Sequence, residues 1–447
     1  MLAKPKNKKQ LGFYTTFEEQ LNHHHPLYIL TRKVDWQRFE EAFKKHYSQT
    51  TGAPAKPIRL MVGLLILKHL RNLSDESVVE QWAENVYYQF FCGEEYFASR
   101  QPCVPTELVE FRKRIGEEGI ELIFQESIRI NGKDGREDDA VTDTTVQEKN
   151  ITFPTDTKLH KRIIDKCRGI AEKEGLIIRQ SYRRTIKKLS LDQRFRNHPK
   201  NYGKARKADR KIKTIAGRLV RELERKLAPE NKYHDGLALF KRILSQKRND
   251  RQKIYSIHEP HVQCISKGKE HKKYEFGTKA SITITKNTGV IIGAVNIPLN
   301  DYDAHTLYPA IGQQQRLTGH ILKNSFVDRG YRGVKNVLGT NIILPDEKKI
   351  KSAYQKKKRR EDFRRRAAVE PIIGHLKNDY RLSRNYYKGI FGDNINVMLA
   401  AAAMNFKRMM NKWKVNPSFF ILFRWIQQVY ANILWQISIT MQVKALV

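Results

Sequence analysis

The sequence predicts an α/β protein: a mixed sheet, interrupted after its first strand by a basic helical block and preceded by an all-helical N-terminal domain. Three observations carry this expectation. Apolar residues recur at helical spacing through residues 25–135. The pattern changes at residue 139, where Ala140-Val141-Thr142-Asp143-Thr144-Thr145-Val146 is β-branched and reads as a strand. Residues 158–250 then revert to helix before strand patterns return from Tyr274 onward.

Residues 1–24 read as a basic flexible N-terminus. Lys4, Lys6, Lys8 and Lys9 are followed by no apolar run, so this is not a signal peptide. The run His23-His24-His25 reads as a solvated loop rather than a metal cluster, because no Cys or Asp ligands lie at metal spacing nearby. Residues 25–135 are expected to form a helical DNA-binding domain. Val34–Tyr47 is a first amphipathic candidate, and Pro57 opens a strongly apolar run, Ile58–Leu70, suited to a buried helix. After the break at Asn72-Leu73, Ser74 is an N-cap with Asp75 and Glu76 in the first turn, and Val78, Val79, Trp82, Val86 and Phe90 share one face. Helix, short turn, helix is the outline of a DNA-reading motif and equally of any helical hairpin.

A catalytic domain is expected over 136–410, with 158–250 inserted as the basic helical block. In that block Ile212, Ile215, Leu219, Leu223 and Leu227 make one apolar stripe. Tyr274–Lys286 and Val290–Ile297 flank Asn287-Thr288-Gly289 as a hairpin. A helix capped by Asp303 follows, then short strands at Asn324–Asp328 and Asn341–Leu344, then helices near 355–378 and 393–413. Residues 411–447 form an apolar helical tail. Trp425–Val443 lacks charge, but Gln427, Gln428, Asn432, Gln436 and Gln442 interrupt it, which favours a buried or partner-facing helix over a membrane span.

Composition narrows the function. The 447 residues carry 84 Lys+Arg against 47 Asp+Glu, a net charge of +37. Hydrophobic residues at 40% exclude wholesale disorder. The four cysteines form no CxxC pair and no disulfide framework, and read as small buried side chains in a reduced cytoplasm. So large a cationic excess calls for a polyanion: nucleic acid first, an anionic membrane surface second. The excess is localised, with net +19 over residues 158–250 and net +9 over 348–366. The second segment lies beside candidate acids rather than the apolar tail, which favours nucleic acid over membrane.

Cutting a phosphodiester requires neutralisation of charge at the scissile phosphate, and carboxylates holding two hard metal ions do this. Three acids embedded in cation fit: Asp143 in the first strand, Asp328 at a strand end before Gly330 and Gly333, and Glu370 on a late helix. Phe363, Arg366, Glu370 and Lys377 fall on one helical face by their spacing, although Pro371 should kink the helix unless a helix starts there. The bland reading of Arg366 and Glu370 is a surface ion pair.

Arg366-x3-Glu370-x6-Lys377 resembles the Y-x2-R-x3-E-x6-K signature of bacterial insertion-sequence transposases of the DDE class. Asp328-Arg329-Gly330-Tyr331 resembles their second-Asp motif, and Val141–Thr145 with Phe153-Pro154-Thr155-Asp156 their first-Asp segment. His258-Glu259-Pro260, Tyr274-Glu275-Phe276-Gly277, His305-Thr306-Leu307 and the run from Pro57 to Gly93 are similar to one branch of that family. The resemblance spans about residues 25–410. It implies a ribonuclease-H-like mixed-sheet core in which Asp143, Asp328 and Glu370 are the catalytic acids and hold two magnesium ions, with manganese able to substitute. It also implies double-stranded DNA as partner, both transposon ends and target, a homodimer in the synaptic complex, no membrane, and a cytoplasmic, nucleoid-associated location. Arg366, Lys377, Phe363, Tyr331 and Arg329 are then expected on the DNA. One departure stands out: Phe363 replaces the signature tyrosine, keeping the ring and losing the hydroxyl. A catalytically decayed, end-binding repressor and a structure-specific nuclease of the same fold remain open alternatives.

Overall fold

The structure is a computed structural model that describes residues 15–48, 54–247, 249–266, 273–345 and 352–414. The expected apolar helix at Trp425–Val443 lies outside the described residues. The chain divides into two compact units. One contains the described residues up to Glu137 together with those from Met398 onward, and the other is Asp138–Val397.

The first unit is all helical: α1 (Phe17–Gln20), α2 (Pro26–Lys33), α3 (Trp36–Lys44), α4 (Ile58–Leu70), α5 (Asp75–Glu84), α6 (Val86–Phe91) and α7 (Pro105–Ile130). The expected helix Val34–Tyr47 is broken at Asp35. The Asp35 side chain accepts from the Arg38 amide at 3.1 Å and starts α3, while its own N–H donates to Glu126 at 2.8 Å. The face running from Val78 to Phe90 is likewise divided, because the Asn85 side chain caps α6 by accepting from the Tyr87 and Tyr88 amides. Ser74 caps α5 as its sequence position suggests. α4 is apolar on all sides and almost wholly buried. The outward positions of α5 are Glu76, Glu80 and Glu84, so this helix itself presents an acidic face. Lys68 and Arg112, both buried, close on Asp75 at 2.8 and 2.7 Å. His25 caps α2, accepting from the Leu27 amide, and His23 and His24 are exposed.

Residues 398–410, expected with the catalytic domain, group with these helices. Polar side chains make the tie: Asn405 donates to the Ser127 hydroxyl at 3.2 Å, and Arg408 pairs with Asp134 at 2.8 Å.

The second unit is built on a seven-stranded mixed sheet: β1 (Asp139–Glu148), β2 (Gln263–Ser266), β3 (Tyr274–Thr285), β4 (Ile291–Ile297), β5 (Asn324–Phe326), β6 (Asn336–Val337) and β7 (Thr340–Ile343). β3 pairs antiparallel with β1, β2 and β4, whereas β1–β5 and β5–β7 are parallel. The order β4-β3-β1-β5-β7 is that of a ribonuclease-H-like core. β6, a two-residue strand, had no signal in the sequence. Gly277 allows β3 to lie against β1: a Cβ there would stand 1.9 Å from the Gln147 carbonyl oxygen.

Between β1 and β2 the chain forms α8 (Asp156–Lys173), α9 (Arg183–Asp192), α10 (Pro199–Lys226) and α11 (His234–Ser245). These share an apolar core of their own, in which Ile212, Ile215, Leu219, Leu223 and Leu227 are all buried. After β4 come the 3-10 turn Asp303–Thr306 and α12 (Leu307–Thr318), which packs on β3 and β4. The last described helices are α13 (Ala353–Arg366), α14 (Val369–Asp379) and α15 (Gly389–Lys412). Pro371 falls in the first turn of α14, where a missing N–H has no intrahelical partner to lose. The helix therefore starts there, and Arg366 and Glu370 belong to different helices. The single continuous face expected for Phe363, Arg366, Glu370 and Lys377 is not formed.

Among the described residues no helix is long and apolar enough to cross a membrane. Cys92, Cys103 and Cys167 are buried free thiols, and Cys264 is half-buried.

Candidate active site

The site is set by the register of two parallel strands. Val141 on β1 stands opposite Phe326 on β5, the last pair before the strands part. Asp143 and Asp328 each lie two residues beyond that pair, Asp143 still within β1 and Asp328 just past the end of β5, where one guanidinium reaches both. On its other side Asp143 pairs with Ile282 of antiparallel β3. The carboxyl ends of parallel strands beside such a change of direction are where α/β sheets bind ligands.

Each acid is held locally. Asp143 Oδ1 accepts from the Thr144 amide at 2.8 Å. Asp328 Oδ1 accepts from the Gly330 amide at 2.8 Å and caps the 3-10 turn Arg329–Tyr331. Gly330 is needed here for space, since a Cβ would lie 2.9 Å from Asp328 Oδ1 and 3.2 Å from Asp303 Oδ2. Gly333, at φ +101°, supplies the left-handed backbone that turns the following loop.

One cation spans the pair. Arg366, the last residue of α13, places Nη2 at 3.5 Å from Asp143 Oδ2 and 3.9 Å from Asp328 Oδ2. Its Nε is buried without a hydrogen-bond partner. Arg366 thus faces the aspartates rather than forming the expected surface pair with Glu370. α13 itself buries no residue and is fastened by side chains. The Phe363 ring meets Phe326 of β5 edge-on, with centroids 5.8 Å apart. Lys286 lies 4.1 Å from the Phe326 centroid and pairs with Asp362 at 2.7 Å and Asp139 at 3.1 Å. Arg365 bonds Asn287 in the β3–β4 turn. Phe363 therefore serves to dock the helix that carries Arg366.

The remaining expected residues are distributed differently. Glu370 is exposed in the first turn of α14, a helix that packs on β1 through buried Val369 and Leu376. Lys377 is half-buried in the last turn of that helix, and Arg329 is exposed. Tyr331 was expected on DNA, but the structure corrects this. It is 1% exposed, and burial, with Asp143 and Asp303 nearby, holds its pKa well above the ordinary value. Among the described residues no three His, Cys, Asp or Glu side chains gather closely enough to hold a metal ion. The structure brings Asp143 and Asp328 together and leaves Glu370 outside that pair. Two half-exposed carboxylates sharing one guanidinium form an oxygen-only set with affinity for cation, which fits a hard divalent ion.

Asp303 was expected as a helix cap. Its carboxylate instead turns toward the site, accepting from Thr144 Oγ1 at 3.1 Å and from Lys279 Nζ at 3.0 Å. No local pattern in the sequence distinguishes that role from capping. Other stretches that resembled the family prove structural. Glu259 accepts from the Gly389 amide at 3.0 Å and lies 3.4 Å from Lys149, which also pairs with Asp393 at 2.6 Å. Phe276 meets Phe153 edge-on at 5.4 Å, and Thr155 caps α8.

Comparison with known proteins agrees with this architecture. Residues 15–114 match a family model described as "Transposase domain (DUF772)", and residues 250–406 match one described as "Transposase DDE domain". A Rhizobium meliloti protein described as "Uncharacterized protein ORF8 in nfe locus" is 37% identical over 205 residues, which cover 45% of this chain and 99% of that protein. No solved structure matches the chain. DDE transposases act on DNA and generally use divalent metal ions. With the ribonuclease-H-like sheet, the paired aspartates on its parallel strands and both transposase matches in place, the chain belongs to the insertion-sequence DDE transposases.

Proposed function

We propose that this transposase binds the terminal inverted repeats of its element as double-stranded DNA, cleaves at their ends, and joins them to target DNA within a homodimeric complex. The observation that carries this reading is the placement of Asp143 on β1 and of Asp328 just past the neighbouring parallel strand β5, with Arg366 reaching both. Asp143 and Asp328 would hold magnesium, or manganese in its place, with Glu370, exposed at the start of α14, as the third acid of the signature. Two such ions neutralise charge on the attacking and leaving oxygens of a phosphodiester.

The protein's own groups then have distinct tasks. Asp143 in β1 and Asp328 at its turn are each held by a nearby backbone amide, so little reordering accompanies ligand binding. Arg366 balances their charge and is the group placed to pass to a DNA phosphate, where a guanidinium binds two oxygens at once. Lys377 and Arg329 supply further phosphate contacts. The inserted bundle would track flanking DNA. Its groove between α9 and α10 is lined by Lys207, Arg210, Lys211 and Arg218 with Tyr182, and no carboxylate lines it. The domain boundaries follow the same division: end recognition in residues 25–135, chemistry in 136–410.

Asp328→Ala tests the assignment. The variant should bind an end-containing duplex in a gel shift and fail to nick it in magnesium. Nicking at the wild-type rate would remove Asp328 from the chemistry.

A further inference from the structure

The acids of the site have a neighbour that the DDE motif does not include. Asp303 lies in the 3-10 turn before α12 and is half-buried. Its Oδ1 holds the hydroxyl of Thr144, the residue beside Asp143. Its Oδ2 lies close enough to Gly330 that a Cβ there would stand 3.2 Å away, on the turn that Asp328 caps. Asp303 therefore bonds the segment that carries Asp143 and lies beside the turn that Asp328 caps. The buried Tyr331 side chain lies beside Asp143, Asp303 and Asp328.

A third carboxylate in this position would repel the other two, and Lys279 offsets it. Lys279 lies on β3 opposite Val146 of β1, is 13% exposed, and donates to Asp303 Oδ1 at 3.0 Å and to the Asp301 carbonyl at 2.5 Å. The Asp303–Lys279 pair is neutral as a unit, yet its two charges act on the site with opposite sign.

We propose that Asp303 is a positioning residue of the reaction: it sets the Asp143 and Asp328 carboxylates through Thr144 and the Gly330 turn, and with Lys279 tunes the affinity of the aspartate pair for a divalent cation. This rests on the reading of Asp143 and Asp328 as metal-holding acids. A purely structural ion pair makes no prediction of sign, because loss of either partner would loosen the turn alike. Charge tuning does. Asp303→Asn leaves an unbalanced ammonium beside the site and weakens divalent-ion binding. Lys279→Met leaves an unbalanced carboxylate and strengthens it. A unit charge at this range in a partly exposed site changes the affinity for a doubly charged ion by roughly tenfold.

The test titrates manganese chloride into the full chain and follows the rise in melting temperature, alongside the metal dependence of nicking on an end-containing duplex. Wild type, Asp303→Asn, Lys279→Met and Asp328→Ala are compared. The half-saturating manganese concentration should rise about tenfold in Asp303→Asn and fall in Lys279→Met, with nicking following the same metal dependence. Shifts in the same direction, or no shift in either variant, would overturn the proposal. If Asp303→Asn does not fold, Asp303→Glu and Lys279→Arg replace the pair: both keep the charges and must retain near-wild-type metal binding, and a tenfold loss in either would refute charge tuning. A wild-type response that disappears in Asp328→Ala while Asp303→Asn is unchanged defeats this inference alone. No manganese response in wild type defeats the reading of the aspartate pair and this inference with it.

Discussion

Replacing Arg366 by Gln should separate two quantities that usually fall together. At 3.5 and 3.9 Å from the two aspartates, the guanidinium is the cation the pair shares. Unit charges at such distances attract by about 4–5 kcal/mol each at an effective dielectric near 20. The side chains are 17% and 42% exposed for Asp143 and Asp328, so solvent screening reduces this to about 1 kcal/mol or less per pair. A divalent ion entering the site must displace an interaction of about 1–2 kcal/mol in total, so Arg366→Gln should tighten manganese binding by roughly tenfold. Cleavage should move the other way. A charge-assisted hydrogen bond to phosphate contributes about 1.5–3 kcal/mol, and its loss should slow single-turnover nicking by roughly 10- to 150-fold. Manganese thermal shifts and nicking of an end-containing duplex under single-turnover conditions measure the two effects on one preparation. If metal affinity instead fell in step with Asp328→Ala, the idea that Arg366 occupies the cation's place would be wrong.

Two other outcomes follow from the same physical reasoning. Burial raises the Asp75 carboxyl, but hydrogen bonds and charge from Arg112 and Lys68 outweigh it and hold the pKa at about 2 against an ordinary 3.8. The lowered value contributes about 2 kcal/mol at neutral pH, present above pH ~4 and lost as pH falls toward ~2. Thermal melts from pH 6 to 2.5 should show a decline that is shallower in Asp75→Asn, which leaves two buried cations and should cost about 3–5 kcal/mol at neutral pH. In the inserted bundle, Lys207, Arg210, Lys211 and Arg218 replaced together by Gln should lower the slope of log affinity against log salt by up to about 4, at roughly 0.9 per phosphate contact. An unchanged slope would place the DNA elsewhere on the chain.

Elements were legible in the sequence wherever their signal was local. Ser74 and Pro57 mark helix starts by their own chemistry, and the stripe from Ile212 to Leu227 is a core because apolar residues at helical spacing have no other stable place. The breaks were harder, because they depend on partners far along the chain. Asp35 ends one helix and starts another partly because Glu126, 91 residues away, receives its amide. Pro371 was ambiguous by itself, and the structure resolves it as a first-turn proline that separates Arg366 from Glu370. The site shows the same division. Asp143 within the first strand and Asp328 after a later one were recognisable as isolated acids, but what brings them together is the β1–β5 pairing, which no single segment encodes. Tyr331 was placed on DNA through its motif, and it is buried in the 3-10 turn that Asp328 caps. Asp303 shows most clearly what pairing decides. An aspartate before a helix is a cap by default, and only Thr144 and Lys279, brought close by three strands of the sheet, turn it toward the chemistry. A position of this kind is found by asking which charge a fold cannot leave uncompensated, and here the answer lies beside the two aspartates.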